Sequence, residues 1–146
     1  MGLLSAMSTT ASGIAAQRIR MDIVGSNVAN MNSTRSANGG PYRRQITMIS
    51  EGTTSFAVPR SARDLLDRPT SGVVVRTGVD TVTPLRRVYD PAHPDANEDG
   101  FYEMPNVDLV TEMTDLTSAN HSYSANVTVL NALKDMALRA LDIGSR

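Results

Sequence analysis

The side chains best suited to chemistry gather in one acidic stretch, Asp95-Ala96-Asn97-Glu98-Asp99-Gly100. Asp95, Asn97, Asp99 and Gly100 fit the first half of a calcium-binding loop, but its twelfth position falls on Asn106, where a bidentate glutamate is required. A solvated turn, with Asp99-Gly100 joining two strands, is the better reading. His93 lies between Pro91 and Pro94 and reads as a loop histidine that orders a tight proline-rich turn. A general base would need a nucleophile to activate, and no G-x-S-x-G motif is present. His121 flanks an apolar helix face. The carboxylate pairs Asp108/Glu112 and Glu112/Asp115 have helical spacing, so they share one exposed face. Glycoside hydrolysis needs two carboxyls facing each other across a cleft, which neighbours on one exposed helix do not build. With no cysteine, disulfides, thiolate metal sites and cysteine catalysis are excluded. There is no phosphate-cradling glycine loop. The chain therefore reads as having no catalytic residues, no metal site, no cofactor and no small-molecule substrate.

The basic residues point elsewhere. There are 13 Arg and one Lys, with pairs at Arg43-Arg44 and Arg86-Arg87. Nucleic-acid binding would interleave such charge with stacking aromatics, yet only Tyr42 and Tyr89 lie nearby. Residues 1–89 carry a balance of +6 and residues 90–146 a balance of -7. Halves of opposite sign attract, within one chain or between neighbouring copies. Arginine forking onto carboxylates of the acidic half is the favoured use, and nucleic acid is not an expected partner.

The elements that must position these residues are few. In 146 residues, Leu, Ile, Val and Phe number 32, which allows only a lean core. No apolar run is long enough to span a membrane, and the start of the chain does not read as a secretory signal peptide. Residues 3–30 read as a helix with Met7, Ile14, Met21 and Val28 at intervals of seven; Leu4, Ala11 and Gly25 fall on the companion row, which Arg18 breaks. Residues 106–143 read as a longer helix with a stripe through Leu109, Met113, Leu116, Tyr123, Val127, Leu130 and Leu141. Asn106 after Pro105 is its expected N-cap, and Gly144 its expected stop. These helices would be roughly 42 and 57 Å long, more than a domain of this size needs.

All seven prolines lie between residues 41 and 105, so none interrupts either helix. Strands are expected at Gln45–Ile49, Gly72–Val75, Val79–Val82, Leu85–Tyr89 and Phe101–Met104. Residues 50–71, rich in Ser, Thr, Arg and Asp, read as a loop. The expected fold class is α+β: long N- and C-terminal helices packing as a coiled-coil-like layer, with a small β-rich module inserted between them. The expected parts are residues 1–34, 35–105 with a variable loop near 50–71, and 106–146. Each helix exposes a seam that so thin a middle cannot cover, so the seams must pack on each other, on other copies, or both.

The stretch from Ala16 to Asn30, ending Ser26-Asn27-Val28-Ala29-Asn30, resembles the N-terminal signature of the flagellar rod and hook axial proteins. Gly39-Gly40-Pro41-Tyr42 narrows the resemblance to the proximal-rod members. So does the segment containing Asp90-Pro91, His93-Pro94-Asp95 and Met104-Pro105-Asn106. Glu112-Met113, Tyr123-Ser124-Ala125-Asn126 and Leu141-Asp142-Ile143-Gly144 resemble the family's terminal helix. The likeness covers nearly the whole chain apart from the loop around 50–71. It implies a structural subunit, not an enzyme, exported without cleavage through the flagellar type III apparatus and assembled in the periplasm. The implied partners are other copies, other rod proteins, membrane-ring and adaptor proteins at the rod base, and the export apparatus. The distal-rod type and a helical nucleic-acid-binding or regulatory protein are the alternatives. Leu4, Met7, Ile14, Met21 and Val28 are expected to pack with the C-terminal stripe in an inner helical layer. Asn27 and Asn30 are expected to satisfy backbone groups where the first helix ends.

Overall fold

The first proline is Pro41, and the backbone well before it runs as one helix, α1 (Leu3–Ala29). The structure, a computed structural model, describes residues 3–36, 39–53 and 71–144. The poor helix formers of α1 are accommodated by bonding back onto it. Thr9 donates to the Ser5 carbonyl, Thr10 to that of Ala6 and Ser12 to that of Thr9. At the far end Asn30 takes over, its side-chain amide and its backbone N–H both donating to the Ser26 carbonyl. That satisfies one of the acceptors a helix end leaves open.

The second helix, α2 (Leu109–Gly144), starts three residues later than the spacing predicts. Its N-cap is Asp108, not Asn106: the Asp108 carboxylate accepts from the Thr111 N–H at 3.0 Å and from its hydroxyl at 2.6 Å. These bonds, the hydroxyl's above all, hold the Asp108 carboxyl below the usual range. Asn106 is committed elsewhere. Its carbonyl oxygen accepts from the Arg44 N–H at 2.8 Å, and its amide reaches the carbonyls of Asp80 and Thr83.

Between the helices lie β1 (Gln45–Thr53), β2 (Ser71–Val79), β3 (Arg86–Tyr89) and β4 (Phe101–Met104), in two two-stranded sheets. The expected strands Gly72–Val75 and Val79–Val82 are in fact one strand ending at Val79. Asp80 ends it by accepting from the N–H groups of Val82 and Thr83, a local turn that competes with any ladder. β1 outruns its expected end by four residues, and Leu85 stays outside β3. Of the expected loop at 50–71, residues 50–53 and 71 belong to strands. Residues 54–70 lie outside the described residues.

β3 and β4 pair antiparallel, Arg86 opposite Met104 and Tyr89 opposite Phe101. Asp99-Gly100 does not by itself form the turn between them. The connection is the whole of residues 90–100, closed where the Asp90 N–H donates to the Gly100 carbonyl at 2.9 Å. Gly100 has φ +78°, and a Cβ there would lie 2.9 Å from the Tyr89 ring and 3.0 Å from Pro91. Only glycine meets both demands.

The architecture is α+β, two long terminal helices with a small strand module between them. It divides into two compact units. One holds the described parts of Met1–Ile19, Ile49–Arg76 and Ala119–Arg146, the other those of Arg20–Met48 and Thr77–Ser118. The core is as lean as the composition predicts. Among the described residues the buried apolar side chains are Ala16, Val24, Ala119 and Pro105, and the largest fully buried ones are the polar Glu112 and Asn27.

Candidate assembly site

A buried polar group is tolerated only when its hydrogen-bonding capacity is met, and the second unit is built around two that are. Asn27 projects from the last turn of α1. Its Nδ2 donates to the Gln45 carbonyl at 2.8 Å and to Glu112 Oε2 at 3.1 Å. Its Oδ1 accepts from the Gln45 N–H and from the Tyr42 hydroxyl, both at 2.9 Å. Four bonds exhaust what a side-chain amide can make. One residue thereby ties the end of α1 to the start of β1, to the segment before it, and to α2.

Glu112 continues the network. Its Oε1 accepts from Arg44 Nε at 2.5 Å. The same guanidinium reaches Asp115 Oδ2 at 3.1 Å, and Arg20 reaches Asp115 Oδ1 at 2.7 Å. Burial works against the Arg44 charge, but the hydrogen bond it donates to Glu112, the Glu112 charge, and those of Asp115 and Asp80 outweigh it and raise the Arg44 pKa. The carboxylates read from the sequence as neighbours on an exposed face are thus not both exposed: Glu112 is fully buried. Spacing marks Arg44 as half of a basic pair and Asp115 as half of a carboxylate pair without joining the two, and it gives no sign of Arg20. The signal that could have found them is the opposed charge of the two halves.

The other motif residues hold the 90–100 connection and the loop before β1. The His93 ring stacks on Tyr102 with centroids 3.9 Å apart and planes at 5°. Its Nδ1 accepts from the Asp95 N–H at 3.1 Å, so this histidine orders its turn. The Asp95 carboxylate is taken up by the Thr34 hydroxyl at 2.7 Å and by Arg35 Nε at 2.6 Å, which hold its pKa below the usual range. Asn97 Oδ1 accepts from the Phe101 N–H. Asp95 and Asn97, two of the positions compared with a calcium loop, are therefore bonded within the protein. Among the described residues no group of three or more His, Cys, Asp or Glu is placed to hold a metal. Asp90 Oδ1 accepts from the Ala92 N–H, Pro91 flanks Gly100 and Pro105 is buried. Gly39 and Gly40 both have positive φ, and with Pro41 they line an open cleft of about 520 Å³.

The apolar stripes sit beside these polar contacts. On α2 in the second unit, Glu112 is buried and Asp115 half-buried, while Leu109, Met113 and Leu116 are exposed to 39%, 58% and 40%. Internal packing thus runs along one line of α2, and its large apolar side chains lie one residue off that line. In the first unit the buried positions of the two helices are small, Ala16 and Ala119, with Gly13, Gln17 and Asn126 half-buried. Tyr123, Val127 and Leu130 are half-buried there, whereas Leu4 and Leu141 are largely exposed. On α1 the row Met7, Ile14, Met21 and Val28 is half-buried, but its expected companions Leu4, Ala11 and Gly25 are exposed, as is Arg18, which breaks their row. No helix of the described residues is long and apolar enough to cross a membrane.

Two family models match the chain. One, for the flagella basal body rod protein, matches residues 5–35; the other, for the C-terminal part of the flagellar basal body rod FlgEFG proteins, matches residues 98–143. The flagellar basal-body rod protein FlgC of Bacillus subtilis is 42% identical over 143 residues, covering 94% of this chain and 95% of the relative. FlgC of Borreliella burgdorferi is 40% identical and covers 98% of each chain. FlgC of Salmonella typhimurium is 37% identical and covers 99% of each.

Proposed function

The chain belongs to the FlgC family of flagellar basal-body rod proteins and is a structural subunit of that rod; from this premise we propose how it assembles. The large apolar side chains of α2 that internal packing leaves open are its docking surface. Leu109, Met113 and Leu116 carry this reading: they form one continuous helical face, and none is needed to close the protomer's own polar network. Burying one such side chain stabilises an interface by about 1.5–3 kcal/mol, and a polymer repeats that gain at every subunit. In the first unit Met136, Leu141 and Ile143 of α2 are exposed as well. On α1 the matching rows are Met7, Ile14, Met21 and Val28 with Leu4.

The partners in this reading are other copies of the chain and other rod proteins, with ring and adaptor proteins at the rod base. The chain reaches the periplasm through the flagellar export apparatus, uncleaved, and joins the proximal rod there. In place, the rod carries motor torque outward and surrounds the export channel. The polar network supports this role physically. A core of exchangeable polar bonds and few apolar contacts is lost readily for passage through a channel and is specific enough to reform afterwards.

Complementation tests the reading. A strain lacking its own FlgC, supplied with this chain, should regain complete basal bodies by electron microscopy. Truncated basal bodies despite normal expression would refute it.

A further inference from the structure

Ion pairs neutralise part of the charge in the second unit and leave the rest in a definite order. Arg20 and Arg44 are paired with Asp115 and Glu112, and Arg35 with Asp95. Among the described residues Arg86, Arg87, Glu98 and Asp99 form no ion pair. All four are exposed, and all four lie in the hairpin of β3, the 90–100 connection and β4. Arg86 and Arg87 stand at its base, whereas Glu98 and Asp99, with the exposed Asp90, stand at its tip. About 13 Å of chain separates Arg86 from Asp90. Glu103, opposite Arg87, is an acid at the base, and Arg43 lines a cavity with it. Between the charged ends Tyr89 and Phe101 sit opposite each other, on the face that Arg87 and Glu103 share. Their rings meet edge to face at 5.0 Å, yet Tyr89 is 63% and Phe101 41% exposed. The chain has four tyrosines, two phenylalanines and no tryptophan, and it turns these two outward.

Resting on the rod reading, we propose that this hairpin joins copies head to tail: the acidic tip of one protomer lies on Arg86 and Arg87 of the next. The occupant is a second copy because one hairpin carries both signs, ordered so that a copy displaced by its length meets opposite charge. All of these side chains are already at the surface, so the contact needs no rearrangement of the protomer. Tyr89 and Phe101 lie at the junction and exclude water from it, which strengthens the charge pairs beside them. Tyrosine and arginine are the residue types that such contacts favour. A rod repeats one heterologous contact at every subunit, so each tip along the array meets a base.

The test uses the full chain in the complementation strain. Glu98→Arg with Asp99→Arg reverses the tip, Arg86→Glu with Arg87→Glu reverses the base, and a third chain carries all four substitutions. Each reversal alone should lower incorporation into basal bodies roughly tenfold or more, while the urea midpoint of the isolated protomer stays unchanged. The chain with all four should recover to within about threefold of the unsubstituted one, because its copies again present opposite signs. Wild-type incorporation after either reversal would overturn the proposal, as would no recovery with all four. A second measurement does not depend on reversed charge. The chain has no cysteine, so Arg86→Cys with Glu98→Cys supplies two thiols per protomer and leaves Arg87 and Asp99 to make the contact. A short bismaleimide added to purified basal bodies should yield products of two or more copies of the chain. Products joining it only to a different rod protein, or no joined product, would overturn the proposal. Failure of the unsubstituted chain to restore basal bodies would instead remove the rod reading itself, and the proposal with it.

Discussion

Asn27 and Glu112 meet at 3.1 Å although 85 residues separate them, and they are the most completely buried large side chains described, 1% and 0% exposed. The contact joins α1 to α2 without an apolar core between them. A neutral amide donates one N–H to the carboxylate, and Arg44 supplies the neutralising charge on the other oxygen. Stability of the second unit rests on this geometry.

Asn27→Ala should therefore lower the unfolding free energy by about 2–4 kcal/mol, because it leaves the Gln45 backbone groups and one Glu112 oxygen unsatisfied. Asn27→Asp should be worse at neutral pH, since it sets a second carboxylate against Glu112. Mild acidification should partly restore it by protonating one of the two. Urea denaturation at pH 7 and pH 5 separates the variants.

Arg44→Met leaves Glu112 buried without its counter-charge and should cost about 3–5 kcal/mol. Adding Glu112→Met to it should recover most of that loss. A double substitution as unstable as the sum of the single ones would show that the pair does not act together.

Hydrogen bonds hold the carboxyls of Asp80, Asp95 and Asp108 below their usual pKa of 3.8, those from Thr83, from Thr34 and then Arg35, and from Thr111 being the leading causes. For a lowered acid the native-state benefit is complete above the unfolded value and is lost as pH falls through the folded one. The urea midpoint should hold steady from pH 7 to pH 5 on account of these groups, then drop below about pH 4. Asp108→Asn should make that drop shallower.

Met113→Asp and Leu116→Asp fall on the open face of α2. Each should shift protomer stability by no more than about 0.5–1 kcal/mol while abolishing incorporation into basal bodies. A strongly destabilised protomer would place these side chains in the core instead of the interface.

Gly100→Ala forces a Cβ against Tyr89 and Pro91 at positive φ and should cost about 1–3 kcal/mol. Hydrogen exchange should speed up at the Asp90 amide, which closes this connection, before it does along α2.

Periodicity and proline placement were enough to find both helices, because a proline-free run with apolar repeats has few other ways to fold. They placed the α2 start wrongly. Asn106 and Asp108 are both good caps, and only the competing claim of Arg44 and Asp80 on Asn106 decides between them. Val79–Val82 looked like a strand by composition, but the side chain of Asp80 bonds the two N–H groups that a ladder would need. The His93 turn was legible because two prolines confine it.

The sequence by itself determined the helix–strand–helix order, the absence of a large apolar core and the family. Each rests on local pattern or composition, which needs no knowledge of what lies across the fold. Only the tertiary structure decided that Glu112 is buried, that Arg20 and Arg44 share Asp115, and that the inward line of α2 runs one residue away from its large apolar stripe. Those outcomes depend on the rotation of one helix against another. A rotation of one residue, about 100°, exchanges core for surface without changing a single helical propensity.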